Sequence, residues 1–172
     1  MKYYLLILIL FTAFYQVSAQ KLYQEKLTGC ATKFKMEDKE LYIYYEPNDS
    51  IMVRDFLSGL DEKQLNRLQG AVMLQIMIDT TNTVCCLSYT NKTTISDKKF
   101  DIPNRIKQMQ GWKRAKDKLP DENISALISF VFSKTEFTVI RTVYNRNYGR
   151  KIVETTIYQR KKKKKKKSVD KK

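Results

Sequence analysis

Three thiols, one tryptophan and an unbroken run of lysines are the residues through which this sequence could do chemistry, and what is missing beside them sets the limits. The chain holds no histidine. That excludes imidazole acid–base work, Ser-His-Asp and Cys-His hydrolysis, and histidine-ligated zinc or iron. Serine, threonine and cysteine nucleophiles are left without such an activator. The carboxylates Glu62, Asp79 and Asp121 are scattered with no recurring pair, so only the fold could assemble a two-carboxylate site. The reading is non-enzymatic, with no catalytic residue, no cofactor and no metal site.

The cysteines are Cys30, Cys85 and Cys86. Neither a Cys-x-x-Cys motif nor metal-ligand spacing is present. An oxidising compartment permits one bridge from Cys30 to either partner, with Cys30 and Cys85 the candidate pair and one thiol left over. Consecutive strand residues point to opposite faces, so Cys85 and Cys86 should play different parts. Leu27-Thr28-Gly29-Cys30 also matches the short box that precedes a lipidated cysteine, although Lys21, Glu25 and Lys26 separate it from the apolar run that such a box normally abuts.

Lys plus Arg number 33 against 18 Asp plus Glu, a net charge of +15. More than half of it sits in residues 160–172 (RKKKKKKKSVDKK), so the rest of the chain is only mildly basic. Consecutive lysines repel one another and bury nothing, which predicts disorder. Lys161, Lys162, Lys163, Lys164, Lys165, Lys166 and Lys167 are the candidate polyanion-binding residues, for anionic lipid or envelope polysaccharide. A solvated end without a role is the alternative. No aromatic residue interrupts the run to stack bases, and nucleic acid is not an expected partner.

At the other end, Met1-Lys2, the apolar residues 4–14 (YLLILILFTAF) and Val17-Ser18-Ala19 have the layout of a secretory signal cleaved near Ala19. The run is shorter than the ~20 residues of a spanning helix. An uncleaved anchor is the alternative; the expected location is the periplasm or the outside of the cell.

The elements that must position these residues are legible from hydrophobic period. Residues 40–46 (ELYIYYE) read as a strand stopped by Pro47-Asn48. Residues 52–68 read as one broken helix or two short ones, with Phe56, Leu57 and Leu60 on one face, Gly59 weakening the middle and Asp61 capping the restart. Gly70 closes them. Residues 71–79 alternate, Val72, Leu74, Ile76 and Ile78 on one face and Met73, Gln75 and Met77 on the other. A turn around Asn82 returns the chain into a strand at 84–90, and 94–100 is polar connection. Residues 101–116 read as a helix capped by Asp101, with Ile102, Ile106 and Met109 inward, Gly111 near its end and Trp112 at the exit. A turn at 119–121, a strand at 124–132 and a hairpin of 137–144 with 152–158 complete the pattern.

The expected fold class is α+β: an antiparallel sheet with one helical layer, built as a strand–strand–helix–strand core plus an extra C-terminal hairpin. Its divisions are a signal peptide at 1–19, an extension with one strand at 20–49, the core at 50–133, the hairpin at 134–159 and the tail at 160–172.

The core quotes a known pattern in order: Gly70-Ala71-Val72-Met73-Leu74-Gln75-Ile76-Met77-Ile78-Asp79, then Val84 with Leu87, then Met109-Gln110-Gly111-Trp112-Lys113-Arg114-Ala115, then 124–132. This stretch resembles the C-terminal domain of the TonB energy transducers and their periplasmic relatives. It departs from the family in the turn near Asn82, in Gln110 and Arg114 where prolines flank the tryptophan, and in having no Pro-rich spacer. The resemblance implies a module that binds an envelope protein, an outer-membrane transporter among the candidates, by adding a peptide to a sheet edge. The strand nearest that edge would be 124–132, which makes Ile124, Ala126, Leu127, Ser129 and Val131, with Trp112, the candidate partner-binding residues. Trp112 has a second reading, as the residue that closes the core at the helix end. The C-terminal hairpin would either cover that edge or extend the sheet past it. Monomer and homodimer are both compatible with the sequence.

Overall fold

The computed structural model describes residues 21–37, 42–115, 122–145 and 149–159. The protein is α+β, a mostly antiparallel sheet with its helices on one face. In chain order the elements are β1 (Glu25–Lys26), β2 (Lys35–Met36), β3 (Ile43–Tyr45), α1 (Asp49–Leu57), α2 (Glu62–Arg67), β4 (Gly70–Ile78), β5 (Val84–Thr93), α3 (Asp97–Phe100), α4 (Ile102–Gln108), β6 (Trp112–Arg114), β7 (Ile124–Phe132), β8 (Glu136–Asn145) and β9 (Gly149–Gln159). The main sheet runs β1-β5-β4-β7-β8-β9 from edge to edge, and β2 lies parallel to the start of β7. A separate two-stranded ladder joins β3 to β6.

Alternation decides which face of β4 carries the core. Val72, Leu74, Ile76 and Ile78 are fully buried and sit across from Phe130, Ile128, Ala126 and Ile124 of β7, all on the helix side. Phe56 of α1 lays its ring flat on Phe130 at 4.2 Å between centroids and meets Phe100 of α3 at 5.3 Å. Met52, Val53 and Leu57 of α1, with Ile102 and Ile106 of α4, fill the rest of the layer.

The helices stop and start where polar residues can take over backbone groups. Asn48 caps α1 by accepting from the Ile51 N–H at 3.1 Å. Asp61 and Gln64 exchange side chain-to-backbone bonds in a capping box that starts α2. Arg105 of α4 donates to the carbonyls of Phe56, Ser58 and Phe100, so one guanidinium satisfies the C-terminal ends of both α1 and α3. Between α2 and β4, Gly70 has φ +103°, and a Cβ there would lie 2.0 Å from the Lys92 carbonyl oxygen. Only glycine lets β4 start this close to β5.

Several elements differ from the sequence reading. The helix expected over 101–116 ends at Gln108, because Gly111 passes against the Glu46 carbonyl and the Tyr45 ring and Trp112 then pairs with Tyr45 as the first residue of β6. The connection at 94–100 contains the short helix α3. Residues 21–49 hold three short strands rather than one. The leader at 1–19, the turn at 119–121 and the tail at 160–172 lie outside the described residues, as do 40–41 of the strand expected at 40–46.

A guanidinium is buried at the layer. Arg141 of β8 is 6% exposed; it donates to the Ile43 carbonyl, and its Nη2 lies 3.7 Å from the Asp49 carboxylate. The residue in register with it on β9 is Glu154. Removing Asp49 strands the guanidinium away from water, so Asp49→Ala should cost about 2–3 kcal/mol in urea denaturation. Arg141→Met, which takes the charge away with the partner, should cost less. The reverse order would show that the pair does not hold β8 to α1.

Candidate functional site

What a sheet of this kind can offer a partner is its edges and its faces. The face of β4 and β5 opposite the helices is occupied by the chain's own N-terminal segment. The Leu22 N–H donates to Gln75 Oε1 at 3.0 Å, Tyr23 N–H to Ser88 Oγ at 3.2 Å and Gln24 N–H to Thr90 Oγ1 at 3.1 Å. Ser88 Oγ in turn donates to Gln75 Oε1 at 2.9 Å. Gln75 and Ser88 are fully buried, and the segment gives these polar groups backbone partners in place of water. Beyond them β1 pairs with Tyr89 and Ser88 on the outer side of β5, the Leu27 N–H donates to the Leu87 carbonyl, and Cys30 is bridged to Cys85. That sulfur is therefore not a thioether carrying a lipid. One edge of the sheet is thus strapped in its middle by residues 21–30.

The opposite edge is β9. It has eleven residues, Gly149–Gln159, of which all but Val153 pair with β8 on one side, and among the described residues no strand pairs with the other.

The strand expected at the edge is an interior strand, and this corrects the sequence reading. β7 pairs with β4 along all nine of its residues. Its other side is taken by β8 from Leu127 to Phe132 and by β2 at Ile124 and Ser125. Ile124, Ala126 and Leu127 are buried, and Ser129 and Val131 half-buried within the sheet, so none of the five lies on a free edge. The cause is the short turn after β7: the Ser133 N–H donates to the Glu136 carbonyl at 2.9 Å, and a connection this tight folds β8 back onto the strand it leaves. Of the two outcomes open for the hairpin, extension of the sheet is the one found. Trp112 does not face a partner either. It is 1% exposed, with its ring edge-on to Tyr45 at 4.9 Å, and it closes the core where β6 meets β3.

No family model, no curated protein and no solved structure matches this chain.

The described residues bring a buried phenol and a carboxylate together. Tyr45 donates to Asp55 Oδ2 at 2.7 Å beside a cavity of about 240 Å³ that Arg105 also lines. Burial, then the bond to Asp55, pushes the phenol up to about 12, so it stays protonated and ties β3 to α1. Asp79, one of the scattered carboxylates, is spent on its own turn. Slight burial opposes its ionisation, but bonds from Thr81 and Thr83 outweigh that and hold its carboxyl below the usual range. A larger groove of about 560 Å³ between the β3–β6 ladder and the β4–β5 turn carries Lys113, Arg114 and Glu46. No cluster of three potential metal ligands occurs, and no helix is long and apolar enough to cross a membrane, among the described residues.

The remaining thiol, Cys86, points into the core and is 6% exposed. Burial pushes it from 9.0 up to about 12. Below pH 9 the thiol is protonated folded or unfolded and exacts no penalty. Between pH 9 and 12 only the unfolded chain can release the proton, so stability should fall with rising pH across that window. Iodoacetamide at pH 8 should leave Cys86 unmodified in the native protein and label it in urea, read by mass spectrometry.

Proposed function

We propose that this protein is a non-enzymatic binding module of the cell envelope that takes an extended segment of another protein onto the free edge of β9. The observation that carries the reading is the contrast between the two edges: β5 is strapped by the chain itself, whereas among the described residues no strand covers the outer side of β9, an edge eleven residues long. Such a row of N–H and C=O groups is a template for one more strand. The reading also draws support from the β5–β4–β7 order with α3 and α4 between β5 and β7, which is compatible with the TonB C-terminal resemblance, and from the leader-like residues 1–19. An outer-membrane transporter is among the candidate partners. A second reading, favoured by Lys161–Lys167 alone, gives the function to the tail and makes its ligand an anionic lipid or polysaccharide.

The test is site-specific photo-crosslinking in envelope extract, with the probe at position 155 on β9 or at position 129 on β7, in the chain with and without residues 161–172. A protein adduct formed from 155 and absent from 129 is the expected result, and it should survive in the shortened chain. Adducts that require residues 161–172, or capture of lipid and polysaccharide only, would give the function to the tail.

A further inference from the structure

We infer that residues 21–30 are an exchangeable arm: once the Cys30–Cys85 bridge is reduced, the groove they leave takes the same arm of a second copy. The product is a two-fold dimer in which each arm straps β4 and β5 of the other molecule.

The groove suits a chain of one register. Gln75 Oε1, Ser88 Oγ and Thr90 Oγ1 receive three successive backbone N–H groups, those of Leu22, Tyr23 and Gln24. The edge of β5 then pairs with Glu25 and Lys26, and the Leu87 carbonyl takes the Leu27 N–H. Gln75 and Ser88 are fully buried. Leu127, in register with Gln75, and Met77, two residues along the same face, are buried as well. An empty groove would hand these polar and apolar groups to water together, so it needs a cover. A chain that fits must supply three N–H groups, a two-residue strand and then a cysteine beside Cys85. The arm of a second copy supplies all of them.

The arm is also a separable unit. The Lys21 ammonium donates to the Leu27 carbonyl, so part of its bonding is its own. The body takes hold again at Lys33, whose carbonyl accepts from Asn123 Nδ2 at 2.9 Å, and at Lys35, in register with Ile124 of β7. Ala31 and Thr32, both exposed, lie between, and Gly29 at φ +96° precedes the cysteine. A hinge this short closes the arm onto its own body in few conformations, which favours exchange between copies. Monomer and dimer hold the same arm contacts, so concentration and the hinge decide between them.

A dithiol opens the bridge. One of its thiolates attacks a sulfur of the pair, its second thiol resolves the mixed disulfide, and two electrons and two protons end on Cys30 and Cys85. Oxidised glutathione then closes Cys30 of one copy onto Cys85 of the other and leaves as two reduced glutathiones for each bridge.

The test mixes equal amounts of the mature chain and of the same chain labelled uniformly with heavy nitrogen, at about 1 mM. The mixture is reduced with dithiothreitol without denaturant, reoxidised with glutathione, sedimented and mapped by mass spectrometry. The expected result is a dimer in which about half of the Cys30–Cys85 bridges join a light peptide to a heavy one, the share for random pairing, and a monomer with none. Deleting Ala31 and Thr32 should make the dimer dominant, and inserting Gly-Ser-Gly-Ser between them should return the monomer. Absence of mixed bridges from both the parent and the shortened chain would overturn the exchange. So would mixed bridges in a dimer whose Leu22, Tyr23 and Gln24 amides exchange freely with solvent, because the arms would then be crosslinked without being seated.

Discussion

Removal of the Cys30–Cys85 bridge lowers the stability of the fold by about 4 kcal/mol, the chain-entropy value for a closed loop of this length. The bridge spans 55 residues, so opening it returns a large part of the chain's freedom to the unfolded state. Its loss is large against the roughly 5–15 kcal/mol that holds a domain together. The double variant Cys30→Ser/Cys85→Ser, compared with the parent in urea, measures it. The native state should respond as well, but locally. Without the bridge, residues 22–27 are held by three bonds to side chains, the two-residue pairing of β1 and the Leu27 bond, each worth about 1 kcal/mol net. The amides of Leu22, Tyr23, Gln24 and Leu27 should therefore exchange much faster on reduction while those of β4 and β7 keep their protection. A change below 1 kcal/mol with unaltered exchange would mean that the segment is not fastened by this bond.

The second large effect is on the opposite face. Phe56→Ala should cost about 4 kcal/mol, because the ring is fully buried, lies flat on Phe130 and touches Phe100, so its removal leaves a cavity between them. The three rings belong to α1, β7 and α3, so the cavity would open at the junction of the helical layer with the middle of the sheet. Phe56→Leu keeps most of the volume and should cost about 1–2 kcal/mol. Thermal denaturation of both variants separates loss of packing from loss of the stacked geometry. Two equal losses would show that the ring arrangement, rather than filled volume, carries the energy. An Ala variant within 1 kcal/mol of the parent would show that the stack does not form.

Both effects belong to elements of very different legibility. β4, β5 and β7 carry nine or ten residues each, long enough for period two to stand out in the sequence. The break between α1 and α2 was readable in Gly59 and Asp61, which take a positive φ and a capping box respectively. β1, β2 and β6 were not readable, since two or three residues carry no period and exist only because another strand passes beside them. The second face of β4 shows the same limit. Gln75 looks solvent-facing in the pattern and is buried because Leu22 crosses it, a contact over 53 positions that no local signal encodes. The candidate docking strand was misplaced for a related reason. The resemblance stops at residue 132, and the four residues that turn β8 back onto β7 lie just past it.

The unequal edges also bear on how many molecules can join. A sheet open on both sides can add a strand at one edge and offer the next copy the other, which is how filaments propagate. Here Glu25–Lys26 and the sulfur bond at Cys85 close off the middle of β5, so whatever strand joins β9 finds no matching vacancy across the sheet. Under the edge-docking proposal growth would therefore end after one addition, and the complex would hold one guest strand per molecule.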